Sequence, residues 1–140
     1  MKCYTGYFAK LAAYERANLL PVSIARFPPK FYTGDSAEDF MPSAELLSKF
    51  KAGQIDKAQY KDLYIAELDK NARENHLMGY WQVKGENYRG WLLRGNDALI
   101  FLCYECPSDF CHRQIFAEYA RENWNWDVSE YEFKKEPTLF

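Results

Sequence analysis

The chain alternates between short apolar runs and segments whose apolar residues recur at helical spacing. The strongest run is Ala98 to Tyr104, Ala-Leu-Ile-Phe-Leu-Cys-Tyr. Such a run suits a strand covered on both faces, as in a parallel sheet flanked by helices. Pro107, Ser108 and Asp109 then read as turn and cap residues, and Ser108 or Asp109 can accept from the open N–H groups of a first helical turn. Ile115, Phe116, Tyr119 and Ala120 follow at helical spacing, with Gln114, Glu118, Arg121 and Glu122 between them. The stretch therefore predicts strand, short polar loop, amphipathic helix.

The remaining elements follow in order. Lys2 to Thr5 predicts a first strand, with Gly6 allowing a tight turn at its end. Phe8, Leu11, Ala12 and then Leu19 mark a helix face through about Asn18, which is placed to stop that helix. Leu20 to Arg26 reads as a second strand, with Pro21 near its start. Residues 27 to 42, rich in Pro, Gly, Asp and aromatics, read as a long connection of the kind that forms binding loops or lids. Ser43 caps a short helix closed by Gly53. Asp56 with Gln59 forms a capping-box pattern for a helix that fades near Asn75. Residues 76 to 97 have no clean period and read as a short helix or a covering excursion. Val128 to Phe133 alternates enough for a last strand, and residues 134 to 140 read as a loosely attached tail. The expected architecture is one three-layer α/β domain, 1–140, with a small, mostly parallel sheet flanked by helices.

Composition narrows the partners. The chain has 140 residues, 48% of them hydrophobic, enough for one packed core. Its net charge is −2. Strong general nucleic-acid binding needs a basic face, and no basic run is present. No run of about 18 apolar residues marks a membrane span. Met1-Lys-Cys-Tyr-Thr-Gly-Tyr lacks the apolar segment of a signal peptide. Four cysteines without export signals are expected as reduced thiols in the cytoplasm.

The candidate chemistry gathers after the central strand: Cys103, Glu105, Cys106, Asp109, Cys111, His112 and Arg113. In an open α/β sheet the ligand crevice lies beyond the carboxyl ends of the strands. A helix amino terminus there favours negative charge. The same field favours thiolate at Cys111, the leading nucleophile candidate, against a reading as a small buried residue. His112 is either an acid/base group or a packing residue. Arg113 is read as an anion clamp, against a salt bridge to Glu105, Asp109 or a carboxylate elsewhere. Glu105 either meets a ligand hydroxyl or amine or orients an arginine. Arg26 ends the second strand at the same edge. Tyr7, Phe27, Phe31, Tyr32 and Phe110 are placed to flank the cleft, where aromatic faces beside arginines suit a nucleobase and its phosphate.

Other chemistries fit less well. Cys103, Cys106, Cys111 and His112 include four soft donors, but not as the two well-spaced pairs of a zinc site. A phosphatase loop needs five residues between Cys and Arg, whereas Cys106 and Arg113 have six between them. No Gly-rich phosphate loop or zinc-protease helix is present. No metal or cofactor is expected.

Cys103-Tyr-Glu-Cys-Pro-Ser-Asp-Phe-Cys-His-Arg resembles the signature of the family named domain of unknown function 488, a Cys-x-Glu ending a strand and a Cys-His-Arg opening a helix. Tyr4-Thr-Gly-Tyr and Ser23-Ile-Ala-Arg-Phe-Pro-Pro resemble its first two strands, and Asp56 to Leu68 its mid-chain helix. Ala25 stands where that family often carries an Asp. The resemblance covers most of the chain outside 76 to 95 and implies a compact α/β domain. It implies no reaction, because that family is itself uncharacterised.

These readings converge on a small anionic, nucleotide-like ligand. Arg26 and Arg113, with Tyr7 and Phe110, would bind it; Cys111, His112 and Glu105 would carry any transferase or hydrolase chemistry. The alternatives are a non-catalytic binding or interaction module and a metal or thiol redox site.

Overall fold

The computed structural model describes residues 2–74, 95–104 and 112–133. Five strands form one all-parallel sheet: β1 (Lys2–Tyr7), β2 (Leu19–Ser23), β3 (Asp35–Ser36), β4 (Ala98–Cys103) and β5 (Asp127–Glu130). Their spatial order is β3-β2-β4-β1-β5. β4 lies between β1 and β2, with Tyr7 opposite Cys103 and Ser23 opposite Leu102. Every residue of β4 is buried, as its unbroken apolar run requires.

The helices described are α1 (Leu11–Arg16), α2 (Ala44–Lys51), α3 (Lys57–Glu74) and α4 (His112–Trp124). Alternation along β4 divides the core. Ala98, Ile100 and Leu102 face Phe8, Tyr14 and Tyr32 on the α1 side. Leu99 and Phe101 face Tyr64, Leu68, Ile115, Phe116 and Ala120, on the side covered by α2, α3 and α4. The fold is α/β with helices on both faces of the sheet, as expected.

Local signals are realised at the helix ends. Ser43 Oγ accepts from the Leu46 N–H at 3.1 Å. Asp56 and Gln59 form the reciprocal capping box, at 2.8 and 2.9 Å. Asn18 ends α1 at φ 65° and Gly53 ends α2 at φ 72°, both in the left-handed region. Glu67 reaches back from α3 to hold both the N–H and the hydroxyl of Ser43, which fixes α2 against α3.

Two expectations are corrected. Residues 27 to 42 are not an open loop throughout. Asp35–Ser36 adds a third parallel strand to β2, and a 3-10 turn at Glu38–Phe40 drives Phe40 into the core. A two-residue strand is too short to leave a periodic trace.

Gly6 is not a turn residue either: β1 continues through it to Tyr7. Glycine is required because the Tyr14 ring lies against the strand, where a Cβ on residue 6 would sit 2.6 Å from Cζ and Oη of Tyr14. Tyr14 is fully buried, so its ring has nowhere to move. Gly6→Ala is expected to cost about 1–3 kcal/mol by overpacking. Chemical denaturation of Gly6→Ala, Tyr14→Ala and the double variant checks this, because relief of one clash makes the two penalties less than additive.

Candidate functional site

The carboxyl edge of the sheet has a geometric switch between β1 and β4. The two strands are neighbours, but the chain leaving β1 enters α1 on one face, while α4, which follows β4, packs on the other. Divergent connections open a crevice at such a point, where open α/β sheets take ligands. Tyr7 and Cys103 end the two strands, and His112 and Arg113 open α4 beside them.

Arg113 has no exposed surface. Its Nε donates to Glu130 Oε1 at 2.9 Å, and Thr5 Oγ1 donates to the same oxygen at 2.9 Å. The guanidinium carbon lies 5.8 Å from the centroid of the Tyr7 ring, a cation–π distance. β5 and β1 therefore hold Arg113 from one side while Tyr7 covers it from the edge. Beside this pair is a pocket of about 220 Å³ lined by Thr5, Gln114, Ala117, Arg121 and Glu130.

His112 is buried and ties α4 to the end of β2. Its Nε2 lies 2.7 Å from the carbonyl of Ile24, which can only accept, so Nε2 carries the proton. Nδ1 then presents its lone pair to Cys103 Sγ at 3.5 Å. Cys103 is disulfide-bonded, and Cys3 is buried. The expectation of four reduced thiols is corrected to that extent. A disulfide sulfur has no proton to give, so Nδ1 touches Cys103 without a hydrogen bond. Burial, with a smaller effect of the Arg113 charge, holds the imidazole pKa down to about 4 against the upward pull of its bond to Ile24.

That depression fixes a pH dependence. The folded imidazole resists a proton that the unfolded one accepts near pH 6.5. Its contribution to stability is complete above about pH 6.5 and drains away as the pH falls towards about 4, a loss of about 3 kcal/mol. Urea midpoints measured across this window should fall in the native chain and change much less in His112→Gln.

Arg26 follows β2, the other neighbour of β4. Its Nε donates to the Pro42 carbonyl at 3.1 Å, and Nη1 lies 3.7 Å from Glu38, whose side chain is 83% exposed. That ion pair is long and solvent-screened, so it holds Arg26 weakly. The sequence-predicted residues are thus brought to one edge in two groups: Tyr7, His112 and Arg113 at the β1–β4 switch, and Arg26 beyond β2. Glu105, Phe110 and Cys111 lie outside the described residues, as do Cys106, Asp109, residues 76 to 94 and the tail.

Sequence reasoning did not single out Thr5 and Glu130 as the partners of Arg113. The alternation of β5 marks Glu130 only as a polar strand residue; the pairing appears once β5 is set beside β1, with Thr5 opposite Glu130. Among the described residues, no group of three His, Cys, Asp or Glu side chains is arranged to hold a metal ion. None of their helices is long and apolar enough to cross a membrane. Comparison with protein-family models, curated proteins and solved structures finds no match to this chain.

Proposed function

We propose that this chain binds a small anionic, nucleotide-like ligand at the carboxyl edge of its sheet, between β1, β4 and the end of β2. The observation that carries the reading is the switch point, where Tyr7 at the end of β1 lies beside the first turn of α4, the kind of place at which open α/β sheets take ligands. Arg113 contributes a fixed positive charge from behind Tyr7 and does not itself reach solvent. Arg26 is the more accessible of the two arginines and is the one assigned to direct anion contact. His112 positions α4, since burial keeps it neutral and its proton is committed to Ile24. Binding alone is proposed; transferase or hydrolase chemistry through Cys111 and Glu105 is no part of it. Kinship with the family of domain of unknown function 488 belongs to the same proposal and rests on the Cys-His-Arg pattern.

Isothermal titration calorimetry with adenosine 5′-monophosphate and with inorganic phosphate tests the reading. Binding is expected at low ionic strength, weakened by about tenfold or more in Arg26→Ala, as loss of a charge-assisted hydrogen bond implies. Absence of binding by the native chain at millimolar ligand would overturn it.

A second reading, a thiol redox site, is favoured by the disulfide at Cys103 in contact with His112. Residence in the cytoplasm, also a proposal, strengthens it, because disulfides there are mostly catalytic or redox-sensing. Thiol counting across a glutathione redox series should give a midpoint within the cellular range; a disulfide that resists reduction throughout would remove this reading.

A further inference from the structure

Three of the five large hydrophobic side chains exposed among the described residues follow two adjacent strands: Phe27 (61%) and Phe31 (62%) after β2, and Tyr104 (48%) after β4. They are not loosely displayed. Tyr104 donates its hydroxyl proton to the Phe27 carbonyl and sets its ring at 5.4 Å from Phe8. Phe8 in turn meets Tyr32 at 5.2 Å, and Tyr32 is anchored through its hydroxyl to the Asp35 and Pro21 carbonyls. Phe31 adjoins that anchor in the chain. The backbone on both sides of the aromatic face is therefore fixed from beneath, while the rings remain in water.

Arg26 immediately precedes this face in the chain. Its Nε is tethered to Pro42, and its outer nitrogens face the exposed Glu38 at long range. Exposed rings that follow adjacent strand ends, with a cation next to the first of them in the chain, complement one ligand chemistry well, a planar ring carrying an anionic group. Alternation along β4 continues the α1 side to Tyr104, whereas Tyr7 and Arg113 lie with Thr5 and Glu130 on the α4 side. A ligand crossing the edge of the sheet meets the exposed rings on one side and, on the other, Tyr7 standing in front of the buried Arg113.

We infer that Phe27, Phe31 and Tyr104 form the base-stacking half of the site, so that the ligand is a nucleobase-bearing phosphate and not a phosphate alone. This inference rests on the anion-binding reading above and deepens it. Stacking on exposed aromatic side chains accounts for about a tenfold gain per ring lost or kept.

The test compares adenosine 5′-monophosphate with ribose 5-phosphate by calorimetry, on the native chain and on the double variant Phe27→Ala, Phe31→Ala. Both substituted side chains are exposed, and circular dichroism checks that the variant is folded. The expected result is at least tenfold tighter binding of the nucleotide, with that preference abolished in the variant and the sugar phosphate unaffected. Equal binding of the two ligands by the native chain overturns the inference and leaves the anion site standing. A nucleotide preference that survives the double substitution also overturns it. Binding of neither ligand overturns both proposals. Sedimentation at the same protein concentrations covers the remaining occupant: self-association abolished by the double substitution, without nucleotide selectivity, would assign the face to a second copy of the chain.

Discussion

Phe40→Ala is expected to cost about 3–5 kcal/mol of folding stability, the range for truncating a fully buried phenylalanine. Phe40 is fully buried and is surrounded by rings: Phe116 at 4.7 Å, Trp124 at 5.6 Å, Phe101 at 5.8 Å and Trp126 at 6.1 Å. These neighbours come from α4, β4 and the approach to β5, so collapse around a cavity would require three elements to move together. The carbonyl of Phe40 is fixed as well, accepting from the buried Tyr64 hydroxyl at 2.5 Å. Phe27→Ala, in the same connection, removes an exposed ring and should stay within about 0.5 kcal/mol of the native chain. Urea unfolding of the two variants separates the halves of the 27–42 segment. If Phe40→Ala left stability intact and altered only ligand binding, the segment would be a lid after all.

Arg113→Met is the second large loss, about 3–5 kcal/mol, because it strips a buried ion pair of one partner. The surviving Glu130 keeps its bond from the Thr5 hydroxyl, and its side chain is 26% exposed, so water compensates it in part. The cost should therefore fall at the low end of that range. Methionine fills much of the volume of the arginine stem, which restricts the loss chiefly to charge and hydrogen bonding. Adding Glu130→Met removes the stranded carboxylate and should recover part of the stability, since buried pairs are often replaceable by apolar residues. Thermal melts of the single and double variants check the coupling. An Arg113→Met chain as stable as the native one, with binding lost, would show the guanidinium serving a ligand and not the fold.

Much of the fold is legible in the sequence because its signals are local. The unbroken run at Ala98 to Tyr104 marks the central strand, and Ser43, Asp56 with Gln59, Asn18 and Gly53 mark helix ends through their own hydrogen bonds or backbone preference. What stays hidden depends on contacts distant in sequence. Gly6 resembles a turn glycine until Tyr14 is seen against it. β3 exists only through its pairing with β2. The candidate site is legible as a place, the carboxyl end of β4 and the start of α4, but not as a set of partners. Glu105 and Asp109 are the acids nearest to Arg113 in sequence on its amino-terminal side, whereas the acid that holds it is Glu130, supplied by the edge strand. For His112, spacing alone leaves acid/base work and packing both open; its bond to Ile24 depends on where β2 ends, which periodicity does not reveal.

The central claim, a ligand site at the β1–β4 switch, is tested most directly by titrating the ¹⁵N-labelled chain with adenosine 5′-monophosphate and following its amide resonances. The expected result is saturable shifts clustered at Arg26, Phe27, Phe31 and Tyr104, the assigned contact residues, with smaller ones at Tyr7, His112 and Arg113 behind them. A second pocket serves as an internal control: about 300 Å³ between α2 and α3, lined by Ser43, Lys49, Glu67 and Lys70 among others, it should stay silent. Shifts confined to that pocket, or no shifts at millimolar nucleotide, would contradict the account.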